Sequence, residues 1–550
     1  MRQSGVIIGL VSLVILIGIR LIYLQVYKHQ DFVDLTTNQI EREETIPAFR
    51  GSIYDRNNTP LALSIRRHAV YAVPDAIVDK RAWALKLAGP LNMSVTAVLK
   101  KITPPGSFVW LARQVSDTQA LRPFDDHTLG ILPDYKRLYP QATLAAHVIG
   151  FTGIDSQGLS GIEYYYDEAL RGKPGVLLLE RDNLGFPLAS GKKTVRKPAI
   201  NGDKLILTLD ASVQYQVEQY LAAGITAMKA DHGQAVVMNP ETGEILAMAS
   251  YPGFDLNAWH ETTPIPYTNP VITNIYEPGS VFKLITMASA LEEGIVSPDS
   301  VLTVPEELSI ETDIIKEAHA RDSGESDEKS LHEIITESLN VGISLLSQDL
   351  GPDKFFRYLH HFGLDRATQI GLPGETAGLL RPVSQWQPID TATIAFGQGI
   401  GVSSLQLITA ISAIVNDGIL VQPHIINGII NDRDTTYKRS HRINRRRILT
   451  PETARAIQSM MVGVIESGTG MQLAIPNHRI GGKTGTANKP SPDGGYYKDQ
   501  YVSTFVGFLS DPKLVILVMV DNPKESIWGS TVAGPIFRNI ALSLLQYQID

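Results

Sequence analysis

An uncharged apolar run near the amino terminus constrains the fold of this 550-residue chain more than any other feature. Residues Gly5–Ile19 contain no charged side chain, and after Arg20 the apolar pattern continues through LIYLQVY. A helix of roughly 20 apolar residues crosses a bilayer, and the long Arg20 side chain can extend its charge toward the interface. The bulky sequence GIRLIYLQV offers no small-residue cleavage site of a signal peptide. We therefore predict an uncleaved transmembrane anchor at residues 5–27, after a cytoplasmic tail of residues 1–4.

Composition bounds what the rest of the chain can do. The length favours two or more folded domains, and 43% hydrophobic with 19% charged residues is typical of globular proteins. A net charge of −8 argues against a nucleic-acid partner. The absence of cysteine excludes disulfides, thiolate catalysis and cysteine metal sites. His360 and His361 have no partner at metal-ligand spacing, so we predict neither a metal site nor a cofactor.

The pattern of the sequence changes near Asp210, which predicts a domain boundary. Residues 28–210 contain short strand-like runs such as HAVYAVP and GVLLLERD between turn sequences, which predicts a mixed, β-rich domain. Residues 211–550 begin with a helical period and with two strand-like runs joined by ETG, and end with two strand-like runs and the amphipathic GPIFRNIALSLLQYQ. This order predicts an α+β domain with a mostly antiparallel sheet flanked by helices.

The pattern S-x-x-K occurs four times, and the local sequence singles out one of them. The four pairs are Ser190/Lys193, Ser280/Lys283, Ser326/Lys329 and Ser510/Lys513. Only Ser280, in EPGSVFK, stands at a turn-to-helix junction, where unpaired N–H groups and the helix dipole favour developing negative charge. Positions i and i+3 share a helix face, so the Lys283 amine can reach the Ser280 hydroxyl, as an activated serine requires. The alternative is a helix cap beside a solvated lysine.

Two further motifs follow this pair in a recognisable order. ESLN places Ser338 and Asn340 two residues apart, and GGKTGTANK contains Lys483–Thr486. Each motif alone is compatible with local polar contacts. The order S-x-x-K, S-x-N, K-T-G is that of class A β-lactamases and penicillin-binding proteins. The shared order favours an active site over three unrelated polar clusters.

On these residues the chain resembles a class B penicillin-binding protein, a membrane-anchored peptidoglycan D,D-transpeptidase, over nearly its whole length. Three stretches resemble the pedestal (dimerisation-type) domain of that family: RGSIYDRNNTPLALS (50–64), RLYPQATLAAHVIGFTG (137–153) and GLSGIEYYYDEALRGKPG (158–175). FVWLARQV and EPGSVFK are similar to the division-specific FtsI type. Asn58 replaces a usual glycine, and Leu339 replaces a frequent serine in S-x-N; neither position is assigned chemistry.

The resemblance implies a serine acyl-enzyme mechanism on stem peptides that end in D-Ala-D-Ala. The implied catalytic residues are Ser280 as nucleophile, Lys283 as base, Ser338 and Lys483 as proton relay, and Asn340 as hydrogen-bond partner of the substrate amide. The terminal carboxylate would bind at Thr484, Gly485 and Thr486, and the backbone N–H groups of Ser280 and Thr486 would form the oxyanion hole. A base of this kind needs a lysine pKa lowered by burial or by a nearby cation such as Lys483. Which lysine is the base stays open.

The resemblance also implies a location and partners. The chain would cross the bacterial inner membrane once, with the pedestal and catalytic domains in the periplasm, and act in septal cell-wall synthesis. Its partners would be peptidoglycan stem peptides, β-lactams as covalent inhibitors, the membrane, an FtsW-type glycosyltransferase and other division proteins, with no nucleic acid. Alternatives are an elongation-type transpeptidase, a serine β-lactamase or D,D-carboxypeptidase with Glu375 as deacylating residue, a β-lactam sensor, or a catalytically dispensable division scaffold.

Three further segments are singled out by composition. FGQGIG (396–401) is similar to the family's glycine-rich segment near the active site, where glycine suits close packing. KRSHRINRRR (438–447) is either a solvated loop or a contact for anionic cell-wall polymer or lipid. NKPSPDGGYYKDQ (488–500) is expected to be a mobile, turn-rich loop that lines the site.

Overall fold

The computed structural model describes residues 2–33, 41–116, 118–119, 121, 128–180, 193–264, 267–318, 326–432, 436–439 and 444–547. The chain forms two compact units. The first contains Met1–Arg50, Ile65–Lys136 and Arg171–Gly202. The second contains Gly51–Ser64, Arg137–Leu170 and Asp203–Asp550.

α-Helices and β-strands are distributed along the whole length of the described residues. The α-helices are α1 (Arg2–Ile22), α2 (Lys80–Ala88), α3 (Val95–Ile102), α4 (Ala146–Ile149), α5 (Gly161–Tyr165), α6 (Asp167–Arg171), α7 (Ala211–Ala227), α8 (Pro270–Thr273), α9 (Lys283–Glu292), α10 (Leu331–Thr336), α11 (Asn340–Leu350), α12 (Pro352–Phe362), α13 (Asp390–Ala395), α14 (Ser404–Val415), α15 (Pro451–Glu466) and α16 (Ala533–Gln546). The strands are β1 (Glu41–Ile46), β2 (Ile53–Tyr54), β3 (Pro60–Ala72), β4 (Val109–Val115), β5 (Leu129–Leu138), β6 (Gly175–Glu180), β7 (Lys193–Lys197), β8 (Lys204–Leu207), β9 (His232–Met238), β10 (Ile245–Tyr251), β11 (Val301–Thr303), β12 (Glu307–Ile310), β13 (Asp313–Lys316), β14 (Glu328–Ser330), β15 (Ile419–Val421), β16 (Ile426–Ile430), β17 (Tyr437–Arg439), β18 (Arg445–Arg447), β19 (Ile480–Pro490), β20 (Tyr496–Ser510) and β21 (Lys513–Asp521).

A five-stranded sheet organises the second unit. Its strand order is β10–β9–β21–β20–β19, and every neighbouring pair is antiparallel. The nearly continuous apolar run of β21, KLVILVMVD, is buried because helices cover both faces of the sheet. The predicted α+β class, the mostly antiparallel sheet and its flanking helices are confirmed.

Alternate residues of the central strands face two separate cores, as the period of a strand requires. Val515, Leu517 and Met519 of β21 belong to the core that also contains α9, α11, α14 and α15. Ile516 and Val518 belong to the core formed with α7 and α16. The first core supports the residues predicted to be catalytic, because Val281 and Phe282 are members of it.

The first unit contains strands and short helices around its own small core. β1, β6 and β7 form a three-stranded antiparallel sheet. α2 and α3 begin at the side-chain caps Asp79 and Ser94 and pack in a core with residues of β3, β4 and β5. This agrees with the predicted mixed, β-rich region.

The amino-terminal span Gly5–Tyr27 is a helix long and apolar enough to cross a membrane. Its most apolar window has a mean hydropathy of 2.7, and none of that window is buried by the rest of the chain. Among the described residues it is the one helix with this length and composition. A membrane anchor is therefore supported at the predicted residues.

The two units do not follow the chain order of the predicted domains. Residues 51–64 and 137–170, both within the predicted pedestal, are part of the same unit as the sheet. Buried Arg137 connects them, because its guanidinium donates to Glu163 Oε1 at 2.6 Å and to the carbonyl of Gly51 at 2.8 Å. The domain bounds 28–210 and 211–550 stay a prediction.

Candidate active site

Ser280 lies in a tight turn that leads directly into α9. Residues Gly279–Phe282 form one turn of 3₁₀-helix, and Lys283 begins the α-helix. Side chains at i and i+3 eclipse one another in a 3₁₀ turn, so the Ser280 and Lys283 side chains project from the same side. Ser280 is half-buried, whereas Lys283 has no exposed surface.

The Lys283 amine is held by the S-x-N motif. Its Nζ donates to the Ser338 carbonyl at 2.5 Å, to Asn340 Oδ1 at 2.7 Å and to Ser338 Oγ at 3.3 Å. The hydrogen bonds described for Lys283 thus run to this motif and not to Ser280. An ammonium has three N–H donors, so a neutral amine would release one partner and present a lone pair instead.

Ser338 joins the two buried lysines. Lys483, also without exposed surface, donates from Nζ to Ser338 Oγ at 2.8 Å. Ser338 has a positive φ of 65°, which places it in the left-handed region that few side chains adopt. A hydroxyl that accepts from two amines keeps its own proton for a third partner. The geometry therefore suits Ser338 to proton transfer.

Burial changes the charge state of both lysines. Burial lowers the pKa of Lys283 to about 7, with a smaller opposing effect from the Glu317 carboxylate. Burial, with repulsion from Lys283, holds the pKa of Lys483 well below its usual value. Of the two causes proposed from the sequence, burial and a nearby cation, burial is the one that lowers the pKa of Lys283.

The K-T-G residues lie on β19, next to the serine turn. Thr484 is buried and lies 3.3 Å from Thr469, hydroxyl to hydroxyl, while Thr486 Oγ1 accepts from the Gly529 N–H at 3.2 Å. A methyl group on Gly485 would lie 2.7 Å from the carbonyl of Pro278, so only glycine lets the strand approach this turn so closely.

The FGQGIG segment closes the other side of the serine turn. The Gly279 N–H donates to the Gly397 carbonyl at 3.2 Å. A methyl group on Gly397, where φ is 82°, would lie 2.3 Å from the Gly279 carbonyl oxygen. The close packing expected for this segment is therefore present beside Ser280.

We predict that Gly397→Ala destabilises the fold by about 3 kcal/mol, because overpacking adds to left-handed strain. Gly399→Ala is the matched control: its φ is also positive, at 74°, but its nearest neighbour would be 3.8 Å away. We expect that control to cost only about 1 kcal/mol. Denaturant unfolding midpoints check the difference, and equal midpoints would contradict it.

Two clefts meet at Ser280. One, of about 310 Å³, is lined on its polar side by Ser338, Thr469, Thr484, Glu317 and Glu337. The other, of about 570 Å³, is lined by Asn340, Asn488 and Tyr501 among others. Both clefts share Ser280, Thr486, Ala318 and Trp528. Ser280 therefore borders both openings.

Several lining residues were not predicted from the sequence. Glu317 follows β13, and its carboxylate accepts hydrogen bonds from the first two backbone N–H groups of α11. Thr469 precedes the 3₁₀ turn Met471–Leu473, and Trp528, Gly529 and Ser530 precede α16. None of these belongs to a motif of fixed spacing, so no sequence signal pointed to them.

The segment 488–500 is more regular than expected. β19 extends to Pro490 and β20 begins at Tyr496, so only residues 491–495 form a turn. Tyr496 donates its hydroxyl to Glu277 Oε1 at 3.1 Å, which ties the hairpin to the residues just before Ser280. Asn488, at the start of the predicted segment, lines the larger cleft, as does Tyr501 just beyond its end.

Three other predicted features are also placed by the structure. Glu375 accepts hydrogen bonds from the backbone N–H groups of Thr368 and Gln369, at 2.6 and 2.9 Å, which is a loop-bracing role. His360 Nδ1 contacts Asp365 Oδ2 at 2.6 Å, and the described part of the chain contains no metal-ligand cluster. Residues 440–443 of KRSHRINRRR lie outside the described residues; Arg446 donates to the His361 carbonyl.

Comparison with protein families gives two matches. A model described as penicillin binding protein transpeptidase domain matches residues 233–542. A model described as penicillin-binding protein dimerisation domain matches residues 45–207.

Individual relatives match over nearly the whole chain. Stage V sporulation protein D of Bacillus subtilis is 34% identical and covers 96% of this chain and 82% of its own length. Peptidoglycan D,D-transpeptidase FtsI of Escherichia coli is 31% identical, and the match covers 98% of this chain and 90% of FtsI. The crystal structure of penicillin binding protein 3 from Mycobacterium tuberculosis, complexed with aztreonam, is 29% identical, with a TM-score of 0.72 over 92% of this chain and 97% of that one.

Proposed function

Since the chain belongs to the class B penicillin-binding protein family of peptidoglycan D,D-transpeptidases, we propose that it cross-links stem peptides through an acyl-enzyme on Ser280. The observation that carries this proposal is the pair of buried lysines that both donate to Ser338 Oγ beside the serine turn. Buried amines with lowered pKa values are suited to accept and pass protons near neutral pH.

Acylation would begin with the Ser280 hydroxyl. Its oxygen attacks the carbonyl carbon of the penultimate D-Ala, and its proton moves to neutral Lys283. The backbone N–H groups of Ser280 and Thr486 would bind the developing oxyanion, a contribution of about 3 kcal/mol per donor. The peptide bond then breaks, and the nitrogen of the last D-Ala takes a proton from Ser338 as that residue regains one from the lysine pair.

Deacylation would use the same groups in reverse. The amine of a second stem peptide loses a proton to Ser338, which passes its own proton to Lys283, and the amine nitrogen attacks the Ser280 ester and breaks its bond to Oγ. The new amide is the cross-link, and Ser280 regains its proton from Lys283.

Thr484, Gly485 and Thr486 would hold the terminal carboxylate during the first step, close to buried Lys483. Asn340 already shares its carboxamide with Lys283 and with the Lys316 carbonyl, at 2.7 and 3.1 Å, so it would present only its second N–H to substrate.

The test of this reaction is a product analysis. The full chain in detergent is incubated with a stem peptide ending in D-Ala-D-Ala and with a D-amino acid as acceptor. We expect the exchange product to exceed the hydrolysis product in mass spectra. Predominant hydrolysis would instead identify a carboxypeptidase, and neither product, with no penicillin adduct, would favour a scaffold.

We place the reaction in septal synthesis, in the periplasm of a single-pass membrane protein, with an FtsW-type polymerase as partner. The similarity to FtsI supports this, although the relatives also include a sporulation protein. Depletion in the native cell is the test. Filaments with a fluorescent fusion at midcell are expected, whereas rounded cells with lateral fluorescence would indicate an elongation enzyme.

A further inference from the structure

Glu317 stands outside the three motifs yet contacts one of them through its backbone. Its Oε2 accepts from the N–H of Asn340 at 2.5 Å, and its Oε1 accepts from the N–H of Val341 at 2.9 Å. These are the first two residues of α11, whose own preceding residue, Leu339, supplies no side-chain cap. A carboxylate there satisfies N–H groups that the helix leaves unpaired and is stabilised by the helix dipole.

The same segment fixes the side chain of Asn340. The Lys316 carbonyl accepts from Asn340 Nδ2 at 3.1 Å, and Lys283 donates to Oδ1 at 2.7 Å. The backbone and the carboxamide of Asn340 are thus both bound by residues 316–317. Because the strained Ser338 lies only two residues earlier, this contact also holds the turn that presents the Ser338 hydroxyl.

Charged groups approach Lys283 from two sides. Lys483 approaches from β19 and shares Ser338 Oγ with it, and Glu317 approaches from the end of β13. Glu337 lines the same 310 Å³ cleft as Glu317, and its carboxylate accepts a hydrogen bond from buried Lys329 at 2.9 Å. The Glu317 carboxylate opposes the effect of burial and raises the pKa of Lys283.

We infer that Glu317 is a positioning residue of the reaction, which clamps the Ser338–Asn340 turn against Lys283 and balances the positive charge buried there. The inference rests on the proposed acyl-enzyme mechanism. It assigns a role to the β12–β13 hairpin, which delivers Glu317 to the cleft.

The test compares acylation rates of full-length variants in detergent between about pH 5.5 and 9. Glu317→Gln keeps the size but loses the charge and one acceptor. We expect its plateau rate with a penicillin to fall about tenfold, as for a small misplacement of catalytic groups. In its pH–rate profile, the acid limb (the rise of the acylation rate as Lys283 loses its proton) should move to lower pH by about one unit. The reason is that loss of a neighbouring negative charge lowers a lysine pKa. Glu317→Asp shortens the side chain but keeps the charge. Its plateau acylation rate should therefore fall, while the acid limb of its pH–rate profile stays in place.

The matched control is Glu307→Gln on the same hairpin. Glu307 is half exposed and pairs with Lys316 at 3.0 Å, away from α11. We expect its rate and limb to equal those of the wild type. If Glu317→Gln matched the wild type in both plateau and limb, per folded molecule, the inference would be wrong even if its melting temperature fell.

A second measurement does not depend on turnover. The chemical shift of ¹³Cε-labelled Lys283, assigned with a Lys283→Arg variant, reports its protonation directly during a pH titration. We expect a lower midpoint in Glu317→Gln, and an unchanged midpoint would overturn the inference. A wild-type chain without a penicillin adduct would refute the proposed function instead, and the titration would still decide the role of Glu317.

Discussion

Replacing Ser280 by alanine is expected to abolish the covalent penicillin adduct and to lower transpeptidation at least about 10⁴-fold, since the proposed nucleophile and its proposed base would act as a unit. The measurement is intact-protein mass spectrometry of the full chain after incubation with a penicillin. The wild type should gain one drug mass, and peptide mapping should assign it to Ser280.

The matched control is Ser326→Ala, the serine of another S-x-x-K pair. Ser326 accepts from the Glu328 N–H at 3.1 Å and does not line either cleft. This variant should form the adduct at the wild-type rate. An adduct that persisted in Ser280→Ala would show that another residue is the nucleophile, and a wild type without any adduct would leave Ser280 as a helix-initiating residue.

Replacing Lys283 by methionine is expected to lower activity and raise stability at the same time. Loss of the proposed general base should reduce acylation by about 10²- to 10⁴-fold. The wild-type rate should rise with pH through an acid limb near the lowered pKa of about 7, because only the neutral amine accepts the serine proton. That limb should be absent in the variant. Lys283→Arg, which keeps a cation and cannot deprotonate, should be equally slow.

The stability change has the opposite sign for a physical reason. Lys283 is fully buried, and its folded pKa lies below its unfolded value. The unfolded chain therefore binds the proton more tightly, so wild-type stability should rise between about pH 7 and the unfolded pKa of about 10.4. Methionine removes this penalty, and the melting temperature of the variant should exceed that of the wild type at pH 7. Equal melting temperatures with unchanged acylation would argue against a buried base.

The sequence predicted which residues form the candidate site, but it did not predict their burial or their hydrogen-bond partners. Ser280, Lys283, Ser338 and Lys483 were predicted because their motifs have a defined order, and the structure brings them together. The family and the fold class are confirmed, whereas the individual roles stay predictions. Burial of Lys283 could not be derived from EPGSVFK, because it depends on residues 55 and more positions away.

Glu317 shows what a motif search leaves out. It caps α11 from a position 23 residues before Asn340 in the chain, so neither a capping pattern nor a catalytic spacing applies to it. The segment 488–500 was expected to be a loop because of its glycine and proline content. Most of it is strand, because antiparallel pairing of β19 with β20 continues beyond the apolar residues.

The placement of residues 51–64 and 137–170 has a consequence for how the chain acquires its shape. These segments emerge early in synthesis, yet their apolar side chains complete the core behind Ser280: Ile53, Leu61, Val148, Phe151 and Ile162. These side chains cannot be buried in that core until strands more than 300 residues later in the chain, such as β21, have been synthesised. A fragment that begins at Asp210 would expose this surface and aggregate, so truncation for crystallography or screening should begin upstream of Gly51.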